Sequence, residues 1–100
     1  MKILALEREL EGASGEQFQH FAGAEARRAW ELYQAGLIRE LYFRADRDEA
    51  VLVLECASTA DAQAALATLP FVREGLIAFD LIPLTAYPGF KRLFADTEKT

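Results

Sequence analysis

The chain predicts an α+β domain in which one antiparallel sheet carries helices on one face, and three observations lead there. Strand-like and helix-like segments alternate in the order β-α-β-β-α-β, a split pair of βαβ units. Both helical segments open on a serine-led capping signature, Ser14-Gly15-Glu16-Gln17 and Ser58-Thr59-Ala60-Asp61. The two central strands are joined by Ala45-Asp46-Arg47-Asp48, a polar link of hairpin length.

KILALE, residues 2 to 7, alternates well enough for a first strand. The first helix is expected from Gly15 to Ala35: Phe18, Ala22, Ala29 and Tyr33 recur at near-helical spacing with Trp30 and Leu37 beside them. Gly36 then stands where a left-handed C-terminal cap is wanted. IRELYFR (38 to 44) and EAVLVLEC (49 to 56) form the hairpin. A short second helix covers Ala62 to Leu69 and is stopped by Pro70. Phe71 to Gly75 is read as a link, and LIAFDLIPL, 76 to 84, as the fourth strand. Residues 85 to 100 make a C-terminal arm on a single domain spanning 1 to 100. The arm turns at Pro88-Gly89 and then shows Phe90, Leu93 and Phe94 at one-turn spacing, which should dock on the sheet end or on a second chain.

Pairing Arg44 with Glu49 sets Tyr42 opposite Val51, Leu41 opposite Leu52 and Glu40 opposite Val53. One face then gathers Leu41, Phe43, Leu52 and Leu54, expected to be joined by Leu4, Leu6, Ile77, Phe79 and Leu81 beneath the helices. The other face is expected to hold Ile3, Ala5, Glu7, Ile38, Glu40, Tyr42, Arg44, Val51, Val53, Glu55, Ala78, Asp80 and Ile82. A sheet with one solvated face alternates cleanly between apolar and polar, and this second face is too apolar for that. The same face of a second copy is the simplest cover. A homodimer joined through Tyr42, Val51, Val53 and Ile82 is therefore expected.

Composition narrows the partners. Of the residues, 52% are hydrophobic, and the formal charge is −5 with no basic run longer than a pair such as Arg27-Arg28, which argues against nucleic acid and anionic membranes. The apolar start is interrupted by Glu7, Arg8 and Glu9, too early for a signal-peptide core, and no later run is long enough to span a bilayer, so the expected location is cytoplasmic. One histidine and one cysteine do not make the usual transition-metal ligand set, no Gly-rich phosphate loop follows a strand, and no metal is expected. Cys56, the lone cysteine, is read as a buried thiol, and His20, which shares an outer helix face with Ala24, Arg27 and Glu31, as a solvated side chain.

The segments GLIRELYFR, EAVLVLECAS, ATLPF and PLTAYP, in this order of elements, together resemble muconolactone isomerase and its small relatives in the dimeric α+β barrel superfamily. The resemblance covers most of residues 1 to 90, carried chiefly by Gly36, Arg39, Leu41, Leu69, Pro70, Leu84 and Pro88. It implies a ferredoxin-like protomer, two of whose four-stranded sheets pack into a barrel, rings of such dimers, and a proton shift on a small unsaturated lactone without cofactor. The chain departs from the isomerase pattern where a histidine is expected after the arginine of the second strand, because Glu40 stands there. Cofactor-free monooxygenases of the superfamily tend to use an asparagine, tryptophan and histidine set. This sequence contains no asparagine.

Moving a double bond next to a carbonyl needs a base, an acid and a donor for the enolate oxygen. Arg39, Glu40, Tyr42 and Asp80 are the candidate catalytic side chains, with Glu55 and Arg44 as further sources of charge. Glu40, Glu55, Asp80 and Arg44 would serve equally as hydrogen-bonded ion pairs across the subunit interface. Arg39 is expected on the helix-covered side, where it needs either a helix C-terminal carbonyl or a ligand carboxylate. Trp30, Tyr33 and Phe43 are candidates for the wall of a cleft between helix and sheet, and the ligand would be a small lactone or organic acid. The competing reading is a non-catalytic assembly module, and a cleft filled by side chains rather than open would favour it.

Overall fold

In the computed structural model, residues 1–98 are described, with side chains up to Phe94. The elements are β1 (Lys2–Glu9), α1 (Gly15–Gln34), β2 (Ile38–Phe43), β3 (Ala50–Glu55), α2 (Thr59–Leu66), α3 (Pro70–Arg73) and β4 (Ile77–Leu84). A 3-10 turn at Pro88–Phe90 and α4 (Lys91–Glu98) make the arm. All strand pairs are antiparallel, in the order β2-β3-β1-β4, so the sheet and helices form the expected ferredoxin-like α+β layer pair.

Local chemistry accounts for the element ends. The Ser14 side chain accepts from the Gln17 N–H while the Gln17 side chain accepts from the Ser14 N–H, closing the capping box at α1. Ser58 caps α2 through the Asp61 N–H without the reciprocal bond. At the end of α1, Gly36 takes φ +83°, the Leu37 N–H returns to the Leu32 carbonyl and the Gly36 N–H to the Tyr33 carbonyl. The second helix runs from Thr59 to Leu66 rather than from Ala62 to Leu69, and Pro70 does not simply stop it. Pro70 occupies the first turn of α3, where its missing N–H costs nothing, so the segment read as a link is one helical turn.

The hairpin register is the expected one, with Leu41 opposite Leu52, Tyr42 opposite Val51 and Glu40 opposite Val53, and the Arg44 N–H bonded to the Glu49 carbonyl. The phase of β1 is reversed from expectation. Ile3 lies opposite Leu54 and Ala5 opposite Leu52, and directly opposed residues share a face. Ile3, Ala5 and Glu7 are therefore on the helix side, while Leu4 and Leu6 join Val53 and Val51 on the open side. Ile38 is likewise corrected to the covered face. The ladder shifts between Ile38 and Glu40, a bulge that makes Arg39 the extra residue and lets Ile38 sit opposite Leu54. The core is Ile3, Ala5, Leu32, Ile38, Leu52, Leu54, Ala62, Leu66 and Leu69, with Leu76 and Ile77 also buried.

Candidate functional site

Beneath α1 the sheet is not fully covered. The helix presents Ala22, Glu25, Ala26 and Ala29 to it, a stripe at i, i+3, i+4 and i+7 made of methyl groups and one carboxylate. Side chains that small leave a cleft of about 340 Å³ between α1 and the strands, walled by Ile38, Leu41, Phe43, Leu52, Phe71 and Phe79. The strand β2 forms its outer lip. Leu41 and Phe43 face the helix layer yet are 48% and 69% exposed. A wider opening that shares Glu7, Phe43 and Phe71 adds Phe18, Glu9, Arg47, Asp48 and Glu49 at the mouth.

Two carboxylates belong to this cleft. Glu7 lies just past the last β1–β3 ladder pair, and its Oε1 accepts from the Ala50 N–H at 3.1 Å in place of a strand partner. Glu25 reaches from α1 to the start of α3, which has no side-chain cap of its own, and accepts from the Phe71 N–H at 2.9 Å. Burial pushes both above the ordinary glutamate range, against the lowering effect of those backbone bonds. The charges of Glu49, Glu25 and Glu9 push Glu7 further, while Arg73 partly offsets the effect at Glu25. Neither makes a salt bridge among the described residues.

The side chains singled out from sequence are distributed differently. Arg39, at the bulge, is exposed, and its Nε donates to the Gly36 carbonyl at 2.6 Å, the helix-end partner rather than a group within the cleft. Its charge reaches Glu55, whose carboxyl is held low mainly by hydrogen bonding to the N-terminal amine. The Tyr42 hydroxyl donates to Glu40 at 2.8 Å, and that bond raises its pKa. Asp80 accepts from Arg8 at 3.2 Å. Glu40 and Tyr42 on β2 and Asp80 on β4 occupy opposite edges of the four-stranded sheet, three strand spacings or roughly 14 Å apart. One protomer thus does not bring the four together.

Of the expected cleft residues, Phe43 lines the cleft. Trp30 and Tyr33 stack on each other at 5.7 Å and are 56% and 49% exposed, outside its lining. His20 is exposed and meets Phe21 edge-on. Cys56 is buried, which raises its thiol pKa. Tyr42, Val51, Val53 and Ile82 share the open face, with Tyr42 and Ile82 exposed. Phe90, Leu93 and Phe94 in the arm are about two-thirds exposed. Residues 99 and 100 of the arm lie outside the described residues. No helix among the described residues is long and apolar enough to cross a membrane.

No protein-family model matches the chain. No curated protein sequence matches it either. Among solved structures it is similar to the 5-chloro-2-hydroxyhydroquinone dehydrochlorinase TftG of Burkholderia phenoliruptrix AC1100, in complex with 2,5-dihydroxybenzoquinone. The TM-score is 0.67 at 16% identity, covering 89% of this chain and 98% of that one. The likeness is one of fold.

Proposed function

We propose that this chain is a small cofactor-free enzyme of the isomerase type, which moves a proton on an unsaturated ring held between α1 and the sheet. The observation that carries the reading is the pair Glu7 and Glu25, one from the sheet and one from the helix, lining an apolar cleft where burial raises both. In this reading one of the two serves as base and the other, when protonated, donates a hydrogen bond. In a lactone whose double bond lies one carbon from the conjugated position, the base takes the proton from the carbon beside the carbonyl. The electron pair passes to the carbonyl oxygen, which the neutral carboxyl supports, and the proton returns at the far end of the allylic unit. Flat walls from Phe43, Phe71 and Phe79 suit a planar ring. That the similar dehydrochlorinase is bound to a small oxygenated ring supports an occupant of this shape.

The cleft is not lined by Arg39, beside which a catalytic cavity was expected, but it is open rather than filled by side chains and contains carboxylates, which supports catalysis over assembly alone. We also propose that two protomers join through the open sheet face. Leu4, Leu6, Val51 and Val53 are only half-buried there and Tyr42 and Ile82 are exposed, a contiguous apolar centre of the kind that permanent interfaces bury.

A test is deuterium exchange into α-angelica lactone, a β,γ-unsaturated γ-lactone, followed by proton NMR in heavy water. The chain should accelerate exchange beside the carbonyl and formation of the conjugated isomer. Exchange no faster than in buffer, or full activity in the Glu7→Gln, Glu25→Gln double variant, would remove this reading.

A further inference from the structure

We propose that the cleft selects rings that carry no charge and that offer a hydroxyl hydrogen to Glu7 or Glu25. This deepens the reading of the cleft as a ligand site and rests on it. Every ionisable side chain lining the cleft is acidic, and none is lysine, arginine or histidine. The charge of Arg73 acts on Glu25 only from a distance, without a salt bridge.

The mouth is built the same way. It holds Glu9, Asp48 and Glu49 against the single cation Arg47, which is 3.4 Å from Glu49 and so already engaged. A ring bearing a carboxylate meets like charge at the entrance and again inside, where apolar walls leave little water to screen it. It finds no guanidinium within the cleft to pair with. A ring bearing an ammonium would pair with the carboxylates. To do so it must give up its hydration against Ile38, Leu52, Leu69 and Phe79, and it would hold the base in an ion pair. A neutral ring loses little on entering apolar walls, and its hydroxyl supplies a donor to carboxylates that each take only one backbone N–H in the structure.

Four probes on one ring separate the possibilities: methyl 4-hydroxybenzoate, 4-hydroxybenzoate, 4-hydroxybenzylamine and methyl 4-methoxybenzoate. Each is titrated into the full-length chain at pH 7, where the phenol of the hydroxy ester stays protonated, with backbone amide shifts at Glu7, Ala26 and Phe43 as the readout. The hydroxy ester should bind at these amides at least tenfold more tightly than the acid or the amine, and several-fold more tightly than the methoxy ester. In the Glu7→Gln, Glu25→Gln double variant the disadvantage of the acid should shrink to threefold or less. Binding of the acid or the amine at the same amides as tight as that of the hydroxy ester would overturn the charge selection and leave the cleft standing as a site. Equal binding of the two esters would overturn the hydroxyl requirement. If no probe moves these amides, the cleft reading fails and this inference fails with it.

Discussion

Both faces of this sheet carry a substantial apolar centre, yet they treat charge in opposite ways. On the open face Arg8 meets Asp80, Glu40 meets Tyr42 and the N-terminal amine meets Glu55, all in partly or fully exposed pairs. Such exposed pairs keep their charges satisfied and add little to stability. On the covered face Glu7 and Glu25 have backbone donors but no salt-bridge partner among the described residues, and burial raises both. Pairing on one face and isolation on the other are the physical difference on which the proposed contact surface and the proposed site for chemistry rest. Charged residues that look alike in sequence are sorted by what stands over them.

The contrast is broken most severely at the centre of the open face. Val53→Glu places a carboxylate beside Glu40, in the register where Val53 faces Glu40 and Leu4. If two such faces close on each other, the stranded charge costs roughly 3–5 kcal/mol. Sedimentation should show monomer or aggregate in place of dimer. A stable dimer with unchanged melting would mean that this face is solvent.

On the covered face the largest effect is kinetic. Glu7→Gln keeps a side-chain oxygen for the Ala50 N–H but removes the base, so proton exchange on the lactone should fall by about 10²–10⁴-fold, the usual range for a positioned general base. The melting temperature should hold or rise, since a desolvated carboxylate is removed. Loss of both activity and stability together would mark Glu7 as structural.

A smaller effect comes from pH. A carboxyl whose folded pKa is raised binds its proton more tightly in the native state, so its unfavourable contribution is absent below the ordinary glutamate value of 4.5. It develops as pH rises through the raised value. Glu25→Gln should therefore melt higher relative to the parent at pH 8 than at pH 4, by a few degrees on the scale of about 4–8 °C per kcal/mol for a domain of this size. Calorimetry at the two pH values reads the sign directly. An unchanged difference would mean that Glu25 titrates as if in water.

How much of this was legible in the sequence depended on whether alternation had one answer. The hairpin register followed from Arg44 and Glu49 because the four-residue polar turn between them allows one pairing, which leaves Leu52 and Leu54 buried and Val51 and Val53 half-buried. KILALE does not, since Ile3 with Ala5 and Leu4 with Leu6 are equally apolar phases. Only pairing with β3 fixes which of them is inside. That one-residue ambiguity hid Glu7, because reversing the phase of β1 moves it from the open face into the cleft. Glu25 carried a signal that went unused: it is the one charge within an alanine stripe at helical spacing, and a charge on the covered side of a helix needs a reason. The bulge at Arg39 left no trace in composition, so a strict period of two sent Ile38 and Arg39 to the wrong sides.

The smallest expected effect belongs to Arg39, and it sharpens the comparison because Arg39 sits where the two faces meet. Its Nε bond to the Gly36 carbonyl satisfies an acceptor just beyond α1, in the glycine cap that turns the chain into β2. The side chain is exposed, so water can replace the guanidinium at that carbonyl, and Arg39→Met should lower stability by only about 0.5–1.5 kcal/mol, the ordinary net worth of one hydrogen bond. Proton exchange on the lactone should change less than threefold, because Arg39 is not among the residues lining the cleft. Thermal melting and the NMR exchange assay on the same preparation separate the two roles. A variant that melts like the parent but loses exchange activity would move the site from the cleft toward the bulge and erase the distinction drawn between the faces.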